Sequence, residues 1–147
     1  MGNIVLFQPE IAENLGSIIR TAACFGSVIH IIDPCGFPFD SKRIKIAAMD
    51  YIDKTKIVRY KSFDNFMEQH KSKNIILMTT KAEKSLSEIN ISKDSFFIFG
   101  QESSGVPEYI HKICKFRAKI PINYDTRSLN LAVSVAITAY SANNISS

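Results

Sequence analysis

Thr126-Arg-Ser-Leu-Asn-Leu-Ala-Val-Ser-Val-Ala-Ile-Thr-Ala-Tyr140 passes from polar and small residues into a run that is almost wholly apolar. The pattern predicts a loop entering a helix. From Leu131 onward apolar residues occupy nearly every helical direction, and only Asn130, Ser134, Thr138 and Ser141 form a thin polar stripe. A helix of this kind is buried on more than one side. One side is met by a sheet of the same chain; in a protein of this size the other predicts a second subunit. Arg127, Ser128 and Asn130 then stand at the mouth of a firmly held helix, where groups can grip a ligand. Ser128 is read either as the N-cap of an ordinary core helix or as part of such a site, and this stretch alone leaves both open.

The 147 residues predict one domain spanning 1–147, long enough to bury a core. A hydrophobic content of 46% with 22% charged residues excludes a disordered chain. The net charge of +4 permits a polyanionic partner without demanding one. Cys24, Cys35 and Cys114 show no metal-ligand spacing and are expected to be reduced thiols. No apolar run approaches membrane-spanning length and no basic leader precedes Asn3, so the protein is expected to be cytoplasmic with no membrane partner.

Short apolar runs at 3–7, 28–32, 57–60, 74–80, 95–99 and 116–120 read as strands. A helix capped by Asn14 and closed by Gly26 turns Leu15, Ile18, Ile19, Ala22 and Phe25 inward, and a short helix covers 63–69. Strands alternating with helices predict an α/β fold around a parallel sheet, with ligands at the carboxyl ends of its strands. The turns after Met78, Gly100 and Ile120 should therefore lie side by side. Gly100 and Gly105 bracket Glu102, and a glycine directly after a buried strand lets backbone approach a ligand closely. Arg20 stands one turn after Gly16, whose missing side chain leaves either a recess for a phosphate or ribose, or nothing beyond a solvated arginine. Phe37 and Phe39 precede Lys42, Arg43 and Lys45, which reads equally as an RNA-contacting surface or as rings packed under a loop. His30, His70 and His111 are expected to be structural. The final residues, 142–147, are expected to fray.

Three segments resemble the SpoU branch of the SPOUT superfamily of RNA ribose 2'-O-methyltransferases: Asn14-Leu-Gly-Ser-Ile-Ile-Arg20, Phe99-Gly-Gln-Glu-Ser-Ser-Gly-Val-Pro107 and Arg127-Ser-Leu-Asn-Leu-Ala-Val-Ser134. Further likeness at 3–11, 30–37 and 49–51 extends the resemblance over nearly the whole chain. It implies a parallel sheet flanked by helices with a C-terminal deep trefoil knot, against the general rarity of threaded chains. It implies S-adenosylmethionine as methyl donor, S-adenosylhomocysteine as product and no metal. The substrate it implies is the wobble ribose, position 34, C or U, of a tRNA anticodon stem-loop, with a homodimer formed through the C-terminal helix. Another RNA such as rRNA, or a non-catalytic RNA-binding module on the same fold, are the alternatives. Residue by residue, the resemblance places Met78, Gly100, Ile120, Pro121, Ser128 and Leu129 around the cofactor. It assigns Arg20, Glu102, Ser128 and Asn130 to catalysis. A guanidinium presents only N–H donors and is a poor proton acceptor, so Arg20 is expected to hold a phosphate or stabilise the developing alkoxide.

Overall fold

Six parallel strands form the sheet of the computed structural model, which describes residues 2–144. The strands are β1 (Asn3–Phe7), β2 (Val28–Ile32), β3 (Ile57–Tyr60), β4 (Ile75–Met78), β5 (Phe96–Phe99) and β6 (Phe116–Ala118), in the spatial order β3-β2-β1-β5-β4-β6. The helices are α1 (Ala12–Phe25), α2 (Lys42–Ala48), α3 (Phe63–His70), α4 (Glu108–Ile113) and α5 (Leu131–Asn143). Alternate residues of one strand feed opposite faces, as the period of two requires. Ile4 and Leu6 join Leu15, Ile18 and Val135 under α1 and α5, while Val5 and Phe7 join Phe63, Phe66 and Ile110 under α3 and α4. Both faces are covered, so the strands read as continuous apolar runs rather than alternating ones.

The chain builds outward from β1 to β3, then returns to the other side of β1. The strand order therefore reverses between β1 and β5, which are paired from Asn3↔Phe96 to Leu6↔Phe99. A crevice opens at the carboxyl ends of strands at such a reversal. Beyond β6 the pairing continues: Lys119 donates to Lys84 O at 3.0 Å, and Leu86 donates to Lys119 O at 2.8 Å.

Several expectations are corrected. Helix α1 starts at Ala12 with Ile11 in the capping position and no side-chain cap; Asn14 lies inside its first turn and faces other partners. Gly26 closes the helix as expected, at φ 67°. The cap of α5 is Asn130, whose side chain accepts from Ala132 N and Val133 N, and not Ser128. The strands expected to begin at 74 and 95 start one residue later, because Asn74 and Ser95 turn their side chains to each other at 2.9 Å and organise the strand entries. Helices α2 and α4 fall in segments to which the sequence pattern assigns no element; at seven and six residues they bury only Ile44 and Ala48, and Ile110 and His111. Ala142 is buried inside α5 rather than frayed, and 145–147 lie outside the described residues.

Gly16 leaves no recess beside Arg20. A Cβ there would stand 2.5 Å from Ala47 Cβ and 2.7 Å from Ile44 O, so the absent side chain seats α2 against α1. Phe37 and Phe39 pack on the core edge, and Arg59 lies over the Phe39 ring at 4.5 Å.

On the other face His30 is buried in an aromatic cage with Phe66 and Phe96, ring centroids 6.0 and 5.1 Å away. Its Nδ1 meets Tyr60 Oη at 2.7 Å and its Nε2 meets Asn3 Oδ1 at 2.9 Å, while Tyr60 Oη meets His70 Nε2 at 3.0 Å. A neutral His30 satisfies this chain: Nε2–H donates to Asn3, Nδ1 accepts from Tyr60, and the tyrosine oxygen accepts from His70. Burial, with smaller contributions from His70 and Lys56, pushes its pKa down to about 4.

Two outcomes follow for stability. Ordinarily Gly→Ala inside a helix is stabilising, yet Gly16→Ala should destabilise by about 1–3 kcal/mol through overpacking; a urea midpoint at or above that of the unsubstituted protein would show that α2 does not rest there. Because the unfolded chain takes up a proton that folded His30 refuses, His30's contribution is complete above about pH 6.5 and is lost on acidification towards pH 4. The loss should be on the order of 2 kcal/mol, read from denaturation midpoints against pH. His30→Gln should be less stable at neutral pH and show a flatter profile.

Candidate active site at the carboxyl ends of the strands

The segments leaving β1 and β5 are fastened to each other by reciprocal bonds. The Glu102 carboxylate accepts from Glu10 N at 2.9 Å and Ile11 N at 2.8 Å, and from Asn14 Nδ2 at 3.3 Å. It therefore caps the N-terminus of α1 from a different loop, which explains why α1 has no cap of its own. In return the Glu10 carboxylate accepts from Ser103 N at 2.9 Å and Ser103 Oγ at 2.8 Å, bonds that hold its pKa below the usual carboxylate range. Asn14 Oδ1 accepts from Asn130 Nδ2 at 3.1 Å, and Asn130 Oδ1 caps α5. Glu102, Asn14 and Asn130 thus form one chain of bonds joining the three sequence segments singled out above.

The two glycines of the 100–105 loop close it on itself. Gln101 and Gly105 exchange backbone bonds at 2.8 and 3.0 Å, and Gly105 sits at φ 67°. A Cβ on Gly100 would fall 2.4 Å from the Gly105 carbonyl carbon. Its lack of a side chain is demanded by the loop's own backbone rather than by a ligand, although Gly100 does line the cleft.

This frame bounds a cleft of about 590 Å³, with Met78, Gly100, Glu102, Ser128, Leu129 and Asn130 among its walls. A smaller apolar hollow of about 90 Å³ adjoins it and shares Met78, Phe99, Ser128 and Leu129 while adding Ile120 and Ile122. The structure thus gathers all the expected cofactor residues except Pro121, which lines neither space. Arg20 also stands outside: it is exposed on α1, its guanidinium 5.9 Å from the centre of the Tyr51 ring. Sequence reading missed Thr79, Thr80 and Lys81, which continue β4 into the cleft wall, and His111, which α4 brings in from behind. The imidazole of His111 is buried, and burial and then Lys81 lower its pKa, favouring the neutral form. Its signal was weak because α4 is short and follows a proline turn.

An apolar slot opening into a wider polar trough fits a ligand with a flat base at one end and polar groups at the other. S-adenosylmethionine has this division: Met78, Phe99, Ile120, Ile122 and Leu129 would enclose the adenine, with Ser128 and the Thr79–Thr80 turn near its polar parts. Fold and site together define a parallel α/β protein with a nucleoside-sized cleft at its strand reversal. The SpoU rRNA Methylase family matches residues 1–140, and the chain belongs to that family. A tRNA (cytidine(34)-2'-O)-methyltransferase of Aeromonas hydrophila is 38% identical over 142 residues, covering 95% of this chain and 91% of the relative. The protein of the same name from Saccharophagus degradans is 35% identical over 144 residues, covering 97% and 94%. A solved structure described as giving structural insights into the 2-OH methylation of C/U34 on tRNA superimposes with a TM-score of 0.91 at 38% identity, covering 97% and 93%. The SpoU methyltransferase AviRb from Streptomyces viridochromogenes, in complex with AdoMet, shares the fold with a TM-score of 0.87 at 18% identity, covering 96% of this chain and 56% of that one.

The capping carboxylate generates a direct test. Glu102→Ala removes three accepted bonds, leaves Asn14 Nδ2 and the Glu10 and Ile11 N–H groups at the entry to α1 without their partner, and should cost about 1–3 kcal/mol. S-adenosylhomocysteine binding, followed by calorimetry, should weaken with it because the cleft rim loosens. Unchanged stability and unchanged binding together would show that the fastening is dispensable.

Proposed function

We propose that this chain transfers a methyl group from S-adenosylmethionine to the 2'-hydroxyl of the wobble nucleotide, a C or U at position 34 of the tRNA anticodon loop. The observation that carries the reading is the cleft at the strand reversal, framed by Glu102, Asn14 and Asn130 from three separate motifs. The named relatives, similar over nine-tenths of both chains, favour tRNA over ribosomal RNA. A purely binding module would have no use for a nucleoside-sized cleft held this rigidly.

The cofactor supplies an activated methyl carbon. The protein supplies orientation, in the sense that holding two reactants in line replaces a costly encounter. Glu102, with three donors on its carboxylate, acts by positioning α1 and Asn14 rather than by taking a proton. Asn130 fixes the start of α5, so Ser128 and Leu129 are presented at a defined depth. Ser128 is exposed in the cleft with its hydroxyl free to donate to cofactor or ribose. Arg20 acts by holding a phosphate or the developing alkoxide, with the proton leaving to phosphate or water.

The reading includes a homodimer through α5. Val133, Ile137 and Tyr140 are 46%, 37% and 60% exposed and lie along one stripe, while Val135, Ala139 and Ala142 face the core. Phe25 of α1 touches Tyr140, ring centroids 6.3 Å apart, so α1 borders the stripe. A second copy on this face brings Arg20 towards the partner's cleft, which accounts for its distance from its own. The threaded C-terminal knot belongs to the same reading, supported by the pairing of Lys119 alongside 84–86 before the chain enters α5.

Single-turnover methylation of tRNA checks these roles. Arg20→Ala should lose about 2–4 kcal/mol of transition-state stabilisation with S-adenosylmethionine binding unchanged, and Tyr140→Asp should give a monomer on sedimentation that no longer methylates. Mixing Arg20→Ala chains with Ser128→Ala chains should restore part of the rate. An Arg20→Ala rate equal to that of the unsubstituted enzyme removes Arg20 from the site, and a fully active Tyr140→Asp monomer removes the dimer from the mechanism.

A further inference from the structure

We propose that the β6 edge of the sheet, with the 81–88 turn beside it, is a docking surface for the phosphodiester backbone of the substrate RNA, outside the cleft that takes the reacting nucleotide. The proposal rests on the reading that the substrate is RNA.

Residues 81–88 and 108–119 carry Lys81, Lys84, Lys112, Lys115, Arg117 and Lys119 against Glu83, Glu88 and Glu108. The fold draws the two segments together. Lys84 and Lys119 are adjacent through the backbone bond at 3.0 Å and the Ser85↔Lys119 bridge. Arg117 reaches back to His111 O at 2.9 Å. The charges sense one another's surroundings: Lys84 and Lys119 both act on the Glu88 carboxylate, and Lys81 and Arg117 both act on His111. Glu88 itself is occupied, accepting from Ser85 N at 2.9 Å in a capping box.

Among the described residues the ion pair is Arg59 with Asp33, at the opposite edge of the sheet. None of the six cations is therefore neutralised by a close partner. All are exposed except Lys119, which is half-buried. Strand β6 is itself an edge, and its first residue, Phe116, is 56% exposed beside them.

What separates this edge from other lysine-bearing surface is continuity with the cleft. Lys81 and His111 line the cleft wall, as does Arg127 across from them, so a basic track leads from the reacting site along β6. Lysines on such a track act as point charges on phosphates, set register without reading sequence, and displace counterions. A stem continuing from the reacting loop is the polyanion whose backbone would follow that track.

The test is tRNA binding by fluorescence anisotropy with the intact protein, from about 50 to about 200 mM salt. The triple variant Lys84→Glu, Lys112→Glu, Lys115→Glu, at three exposed positions that line neither the cleft nor the hollow, should bind about tenfold more weakly or worse, and its log–log salt slope should be shallower by roughly two. S-adenosylmethionine affinity and melting temperature should be unchanged, with KM for tRNA raised and kcat kept within about twofold. The milder Lys112→Ala, Lys115→Ala pair should move the same quantities in the same direction. Lys56→Glu, Lys61→Glu, at exposed positions flanking β3 on the far edge, applies a comparable charge change and should leave binding within about threefold. Equal losses per charge in the two variants, or no loss in the first, overturn the proposal. So does a change in sedimentation with tRNA affinity intact, which would mark the edge as a contact between copies. A protein that binds tRNA through this edge yet methylates none overturns the enzymatic reading alone; one that methylates tRNA as well with the triple substitution as without it overturns the docking surface alone.

Discussion

The Glu102 carboxylate is the fixed point of this molecule. A charged acceptor with two backbone N–H groups and one amide N–H on it is worth more than a neutral contact, and the donors come from the start of α1. Its loop leaves β5, α1 follows β1, and β1 and β5 are the pair between which the strand order reverses. Holding these two exits together defines the width of the crevice that parallel topology opens. Asn14 then carries the same restraint to Asn130 and so to the base of α5. The geometry of the cleft is in this sense a property of one carboxylate and two amides more than of the sheet.

The fold was legible because most of its strands announce themselves as short apolar runs bounded by Pro, Gly and Asn, as a sheet covered on both faces favours, while the edge strands with Arg59 and Arg117 do so less. Six strands, their parallel class and the two long helices could be placed from period and punctuation. Helices α2 and α4 could not, since a helix of six or seven residues shows two buried positions at most and no repeat. The site was legible in part. The motif residues converge, but periodicity could not say with whom each one bonds. Asn14 looked like a cap because Asn favours that position, whereas a glutamate 88 residues further along does the capping.

The recess considered beside Gly16 is absent, and the space kept by Gly100 is first of all filled by backbone, for one reason. A missing side chain signals that something comes close without saying what. At Gly16 the neighbour is the backbone of α2, and at Gly100 it is the other end of the same loop. Exposed Arg20 is the converse: a residue whose surroundings in a single chain are too sparse for its proposed task, which directs attention to surfaces shared between copies.

The distances along the chain between the bonded partners have a consequence for synthesis. Glu102 meets residues roughly ninety positions earlier, and Asn130 meets Asn14 across 116. Contacts of such long range are slow to form because loop closure must precede any gain from them. A nascent chain still short of Asn130 has all six strands available yet lacks the bond that anchors α5. The nucleoside cleft therefore receives its last fastening only after Asn130 has left the ribosome, and a chain that stops short of that residue lacks it.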